Sequence, residues 1–245
     1  MDEYLDAIRR RRDEIMARVD EALERSGRAP GSVRVMAVSK TVGTPQVLAA
    51  IEAGYGLFGE NRPQELVRKL GELAEVSDLP PVRFDMIGNL QTNKINAVLG
   101  RAACIHSVSS LHLAEAISSR VQRRIESGEL AAAQPVLLEA NVSGELSKSG
   151  FTPDELRAAF PRLSELRGIL IQGLMTMAPR GDKSVARSTF ASLRELRDEL
   201  AGDWPGVDLA ELSCGMSEDF SEAILEGSTL VRLGRVVFDP AFELE

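Results

Sequence analysis

Eight short β-rich runs recur along the chain, with helical patterns between them, and this alternation constrains the fold more than any other feature. The runs are VRVMAVS (33–39), GLFGE (56–60), RFDMIG (83–88), CIHSVS (104–109), PVLLEANV (135–142), LIQGLMTM (170–177), DLAELSC (208–214) and LVRLG (230–234). Between them, Pro45 opens a helical pattern through Val47, Leu48 and Ile51, and Pro63 opens another through Leu66, Val67, Leu70 and Leu73. Further helical patterns cover 92–99, 111–127, 153–166, 183–201 and 218–226. Thr44, Thr152 and Ser217 are the expected N-caps of three of these helices. Strands alternating with helices argue a parallel sheet with right-handed crossovers.

The count of eight selects among such sheets. Eight β/α units in 245 residues match a (β/α)8 barrel. A doubly wound sheet is the alternative, but it lacks its G-x-G-x-x-G fingerprint after the first strand. Before the first strand, Leu5, Ile8, Ile15, Met16, Val19 and Leu23 recur at helical steps, and Ser26-Gly27 closes the pattern. The expectation is α/β class: a single TIM barrel with an extra N-terminal helix. It would form one domain over 1–245, with residues 1–27 packed on the barrel.

Charge and composition narrow the setting. A net charge of −8 leaves no electrostatic footprint for nucleic acid. The basic run Arg9 to Arg12 is followed at once by Asp13 and Glu14, as on a solvated helix face. Only Cys104 and Cys214 are present, which suits a reducing cytoplasm. No apolar stretch reads as a secretory signal or a membrane span. The spacing of His, Cys and carboxylates suggests no metal site.

A barrel of this kind carries its active site at the carboxyl ends of its strands. The first run ends there on Ser39-Lys40-Thr41, the second on Glu60-Asn61 and the eighth on Arg232 and Gly234. A lysine desolvated in a barrel mouth has a nucleophilic amine suited to Schiff-base chemistry, although structural ion pairs occupy such positions more often. Barrels also bind phosphate with the loops after strands 7 and 8. Here Ser213 to Ser217 meets a helix start, and backbone N–H groups near Gly215, Gly234 and Arg235, with serine hydroxyls, would cradle a phosphate. An aldehyde for Lys40, a phosphate for the cup and a ring nitrogen for Arg232 together describe pyridoxal 5′-phosphate (PLP).

The motifs AVSKT, GENRPQE, MIGNLQTNK, IHSVSS, NVSGELSKSGF, GLMTM, LSCGMSEDFSEAI and GSTLVRLG resemble the pyridoxal phosphate homeostasis proteins, the YggS/PROSC family, from about residue 33 to 238. The resemblance implies a barrel like the N-terminal domain of alanine racemase. It makes Lys40 the Schiff-base lysine and Asn61 a cofactor-pocket residue. Arg232 would bind the pyridine nitrogen, while Ser213, Ser217, Gly234 and Arg235 would surround the phosphate. His106 and Met175 would line the pocket, although His106 reads equally well as a core histidine. Two positions depart from the family: Cys214 stands where it usually has Met, and Arg235 where it usually has Thr. A backbone contact from Arg235 to phosphate survives that change, whereas a hydroxyl contact does not.

The implied role is intracellular PLP homeostasis, with PLP-accepting apo-enzymes as partners. The alternative is a PLP-dependent amino-acid racemase or lyase, and a cofactor-free aldolase ranks third because Arg232 has no task in it. Racemases of this fold take a second base, a tyrosine, from a further domain. This chain carries only Tyr4 and Tyr55, both expected far from the mouth, and it ends seven residues after Phe238. The expectation is therefore binding rather than turnover. Aromatic residues make up 4% of the chain, which argues for a monomer.

Overall fold

The fold follows from a computed structural model that describes residues 2–145 and 148–244. Its strands are β1 (Arg34–Val38), β2 (Leu57–Glu60), β3 (Arg83–Met86), β4 (Ile105–Val108), β5 (Gln134–Glu139), β6 (Ile169–Met175), β7 (Glu211–Ser213) and β8 (Leu230–Leu233). Each pairs in parallel with the next, and β8 returns to β1 through Met36 opposite Arg232, closing the barrel. Around it lie α1 (Asp2–Arg25), α2 (Thr44–Glu52), α3 (Pro63–Ala74), α4 (Ile95–Val98), α5 (Leu111–Glu126), α6 (Pro153–Ser164), α7 (Lys183–Asp203), α8 (Phe220–Leu225) and α9 (Arg235–Phe238). The eightfold alternation read from the sequence is therefore a (β/α)8 barrel. No helix among the described residues is long and apolar enough to cross a membrane.

Side-chain alternation divides two cores. Ala37, Phe58, Phe84, Ile105, Leu138, Leu174, Leu212 and Val231 face outward into one large cluster shared with the helices. The opposite phase fills the inside of the barrel. There Met36, Val38 and Leu230 pack with Leu57 and Ile87, and Cys104, Leu137 and Met175 form a second patch. Phase is not constant along β6. Val136 of β5 pairs with Ile171 but Leu137 pairs with Gly173, so one extra residue bulges between them. The bulge turns Met175 inward although Ile171, of the same parity, faces the outer cluster. Gly173 permits it: at φ +150° a Cβ there would lie 1.9 Å from the Glu211 carbonyl oxygen.

The helix starts differ from expectation in two places. Gly43, not Thr44, caps α2, while the Thr44 hydroxyl donates to Glu72. The helix expected from 218 begins at Phe220, with Asp219 as its N-cap residue. Ser217 instead accepts the Val236 N–H at 3.3 Å, and Asp219 accepts the Met216 N–H at 2.6 Å. The Ser217 hydroxyl thus serves the first turn of α9, and the Asp219 carboxylate the segment that precedes its own helix. Thr152 does cap α6, in a reciprocal box with Glu155. The helix expected over 92–99 is a 3-10 turn (Thr92–Lys94) followed by α4. Val67, expected on the apolar face of α3, is exposed, and Lys69 is buried in its place. The N-terminal helix α1 packs against α2, α8 and α9, burying Leu5, Ile8, Ile15, Val19 and Leu23 as expected; Met16 is half-buried.

Candidate functional site at the barrel mouth

The inward phase of each strand, extended past its carboxyl end, reaches the expected binding residues. Lys40 continues the series Met36, Val38; Asn61 continues Leu57, Gly59; Gly234 continues Leu230, Arg232. Lys40 lies in the turn after β1 and is exposed, so the fold does not bury its amine. Asn61 is half-buried after β2, and a Cβ on Gly88 would lie 2.2 Å from its carbonyl oxygen. Glycine at 88 thus lets the loop after β3 close against Asn61.

Below the mouth, a hydrogen-bonded chain of buried polar groups crosses the barrel. Arg232 of β8 donates through Nη1 to the Ser213 carbonyl and to Ser213 Oγ, both at 2.7 Å, and through Nη2 to the Thr176 carbonyl at 2.9 Å. Ser213 Oγ lies 3.1 Å from His106 Nδ1, and His106 Nε2 lies 3.1 Å from Asp85. Arg83 pairs with the same carboxylate at 2.8 Å. The assignment in which Ser213 Oγ accepts from Arg232 and donates to Nδ1 gives a neutral imidazole that donates its Nε2–H to Asp85. Burial pulls His106 below the ordinary histidine value, with Asp85 opposing. Burial also lowers the Arg232 guanidinium, which the nearby acidic groups Cys214, Asp219 and Glu139 oppose. Glu139 is pushed up by burial, against the pull of Arg232.

The neutral histidine has a measurable consequence. Its folded value lies below its unfolded one, so the stability it contributes is present above about pH 6.5 and is lost as the pH falls below that. Replacing His106 by asparagine is expected to flatten the pH dependence of urea unfolding below pH 6.5, by up to about 1.4 kcal/mol per pH unit.

The loops after β7 and β8 meet as expected, through Ser217 and Val236. Gly234 is the N-cap residue of α9 and has no side chain to cap it; the Ser217 hydroxyl accepts one N–H of that first turn instead, from Val236. Ser213, expected at the phosphate, is fully buried, and its hydroxyl is committed to Arg232 and His106. Arg235 turns its side chain outward to Glu218 and over the Phe242 ring, 5.3 Å from its centroid. His106 and Met175 are each 1% exposed, beneath the mouth and not on its surface. Burial pushes the Cys214 thiol up to about 11, which keeps it protonated and inert at neutral pH. A cavity of about 520 Å³ is lined by Ser217 and Asp219 together with Arg18 and Phe242, but neither Lys40 nor Arg232 borders it. In NVSGELSKSGF, Leu146 and Ser147 lie outside the described residues; Lys148 pairs with Glu145 at 2.8 Å and donates to the Met177 carbonyl.

Sequence reasoning passed over one group beside the mouth. Glu60 and Lys69, each with a side chain 1% exposed, form an ion pair between β2 and α3. Its signal was available: Lys69 falls between Leu66 and Leu73 on the apolar stripe of α3, where a lysine is buried only with a partner.

Residues 11–240 match the family described as alanine racemase, N-terminal domain. The pyridoxal phosphate homeostasis protein of Pseudomonas aeruginosa is 38% identical over 225 residues, covering 91% of each chain. That of Aquifex aeolicus is 36% identical over 225 residues, 91% of this chain and 94% of its own. PipY of Synechococcus elongatus, solved with PLP bound, superposes with a TM-score of 0.77 at 36% identity, over 90% of this chain and 99% of its own. With its barrel closed and its mouth residues in one phase, the chain belongs to the pyridoxal phosphate homeostasis proteins, a family built on the alanine racemase N-terminal domain.

Proposed function

We propose that this protein binds PLP at the barrel mouth, anchored by Lys40, and serves intracellular PLP homeostasis as a carrier. The observation that supports the reading is that Lys40, Asn61 and Gly234 lie just past the carboxyl ends of β1, β2 and β8, with Arg232 buried in β8. The donor set fits the cofactor. When bound, PLP supplies an aldehyde that condenses with a lysine amine, a phosphate and a pyridine nitrogen. Lys40 is exposed and supplies the amine. The three hydrogen bonds of Arg232 use three of its five N–H groups, leaving Nε–H and one Nη2–H for a ring nitrogen. The Gly234 cap and the Ser217 hydroxyl flank the start of α9, where backbone N–H groups suit a phosphate.

Carriage is favoured over racemisation by where the tyrosines are. Tyr4 on α1 donates to the Phe238 carbonyl, and Tyr55 is buried under Arg12 of the same helix. Neither reaches the mouth to act as a second base. His106 is committed at both ring nitrogens. In this reading the protein is one domain across 1–245, monomeric and cytoplasmic, and hands PLP to apo-enzymes.

Mixing the purified protein with PLP is expected to produce a visible absorption band. Borohydride reduction and peptide mass spectrometry are expected to place the pyridoxyl group on the peptide containing Lys40. A label on another lysine would reject Lys40 as the anchor. Turnover of L-amino acids well above the free-PLP background, followed by chiral analysis, would reject the carrier reading.

A further inference from the structure

Ser39 and Glu60 occupy the outward phase, one residue before Lys40 and Asn61 respectively, and both meet α3. Lys69 Nζ of that helix donates to the Ser39 carbonyl at 2.6 Å and to Glu60 Oε1. Ser39 Oγ donates to the same Oε1 at 2.7 Å. The other oxygen, Glu60 Oε2, accepts the Asn61 N–H at 3.2 Å. The Ser39 carbonyl belongs to the peptide bond that joins Ser39 to Lys40. The Asn61 N–H belongs to the one that joins Glu60 to Asn61. A single buried pair therefore grips the peptides immediately before both mouth residues.

Covering the barrel wall does not require charges at these positions. Leu66 and Leu73 flank Lys69 on the same face of α3, 0% and 5% exposed. Apolar residues in place of a buried ion pair are often neutral or stabilising, because the pair must be stripped of water. What a hydrophobic pair lacks is directionality. Here the direction is used twice: the Ser39 carbonyl, which also accepts the Val42 N–H at 3.1 Å, fixes the turn that presents Lys40. The Asn61 N–H fixes the facing loop, which Gly88 closes from its other side.

We propose that Glu60 and Lys69 are positioning residues for cofactor retention: the pair holds Lys40 and Asn61 in the mutual pose that keeps PLP bound. The inference rests on the PLP reading above and adds residues that do not touch the ligand. Its test compares the full-length wild type with Glu60→Leu/Lys69→Met, which removes both charges and strands neither, and with Glu60→Gln, which keeps the shape. PLP release is followed by trapping with an excess apo-enzyme, alongside the pH midpoint of the visible band and thermal unfolding.

The double variant is expected to unfold cooperatively, to release PLP at least tenfold faster and to shift the pH midpoint of the band. A merely structural pair would lower the unfolding temperature and leave the midpoint and release rate unchanged. A folded double variant that releases PLP within twofold of wild type, with an unshifted midpoint, overturns the proposal. If the double variant does not fold, Glu60→Gln decides by the same two readouts: tenfold faster release supports the proposal, and release within twofold overturns it. A wild type that gains no visible band overturns the cofactor reading and the pair's role together, whereas a normal wild type beside an unchanged variant overturns only the pair's role.

Discussion

Lys40→Ala is expected to abolish the visible band and the borohydride-stable pyridoxyl label while leaving urea unfolding within about 0.5 kcal/mol of wild type. The two halves of this expectation have separate causes. The label disappears because covalent anchoring needs a primary amine, and alanine offers none. Stability persists because Lys40 is exposed in a turn, beyond the packed part of β1 that ends at Val38. The turn is held by backbone groups and by Lys69, through the Ser39 carbonyl and not through the side chain of Lys40. Absorbance, mass spectrometry and a urea titration on one sample check both halves. Retained weak PLP binding without the band would identify the phosphate cup as an independent source of affinity.

Arg232→Met is expected to act in the opposite way, lowering both stability and PLP affinity. Arg232 is 5% exposed and joins the Ser213 carbonyl, the Ser213 hydroxyl and the Thr176 carbonyl. Removing the guanidinium leaves these acceptors buried without their donor, at roughly 1–3 kcal/mol for each that finds no substitute. Relief from burying a cation offsets part of that loss. A net destabilisation of roughly 2–3 kcal/mol is expected in urea unfolding. Loss of the Arg232 donor also frees Ser213 to reorient, and His106 then loses a fixed partner. Arg232→Lys keeps the charge but cannot span two carbonyls and a hydroxyl as a planar fork does. It is expected to fall between wild type and Arg232→Met in both measurements.

Much of this architecture is written locally. Strand-length apolar runs separated by capped helices specify β/α units, and eight of them suffice to close a barrel. The sequence also places Lys40, Asn61, Arg232 and Gly234 at the carboxyl ends of the first, second and eighth runs, which are β1, β2 and β8 of the barrel. The strand ends were less legible. The run through 135–142 leaves the sheet after Glu139, and the run through 170–177 after Met175, because β-prone residues continue into the loops that form the mouth. Local chemistry also misled at Ser217 and Thr44, whose hydroxyls look like helix caps but serve Val236 and Glu72.

By itself the sequence determined the class, the unit count and the strand ends at which Lys40 and Arg232 stand, because these follow from periodicities of two and of about 3.6 residues along one chain. Only the tertiary structure decided which polar groups satisfy one another. Ser213 became the link between Arg232 and His106, Lys69 became the partner of Glu60, and the β6 bulge turned Met175 inward. For the polar pairs the physical reason is the same: a buried polar group must find its partner within hydrogen-bonding distance, and here that partner comes from another strand or helix, so only closure of the barrel brings the two together. The bulge is a register shift between β5 and β6, set by how the two strands pair.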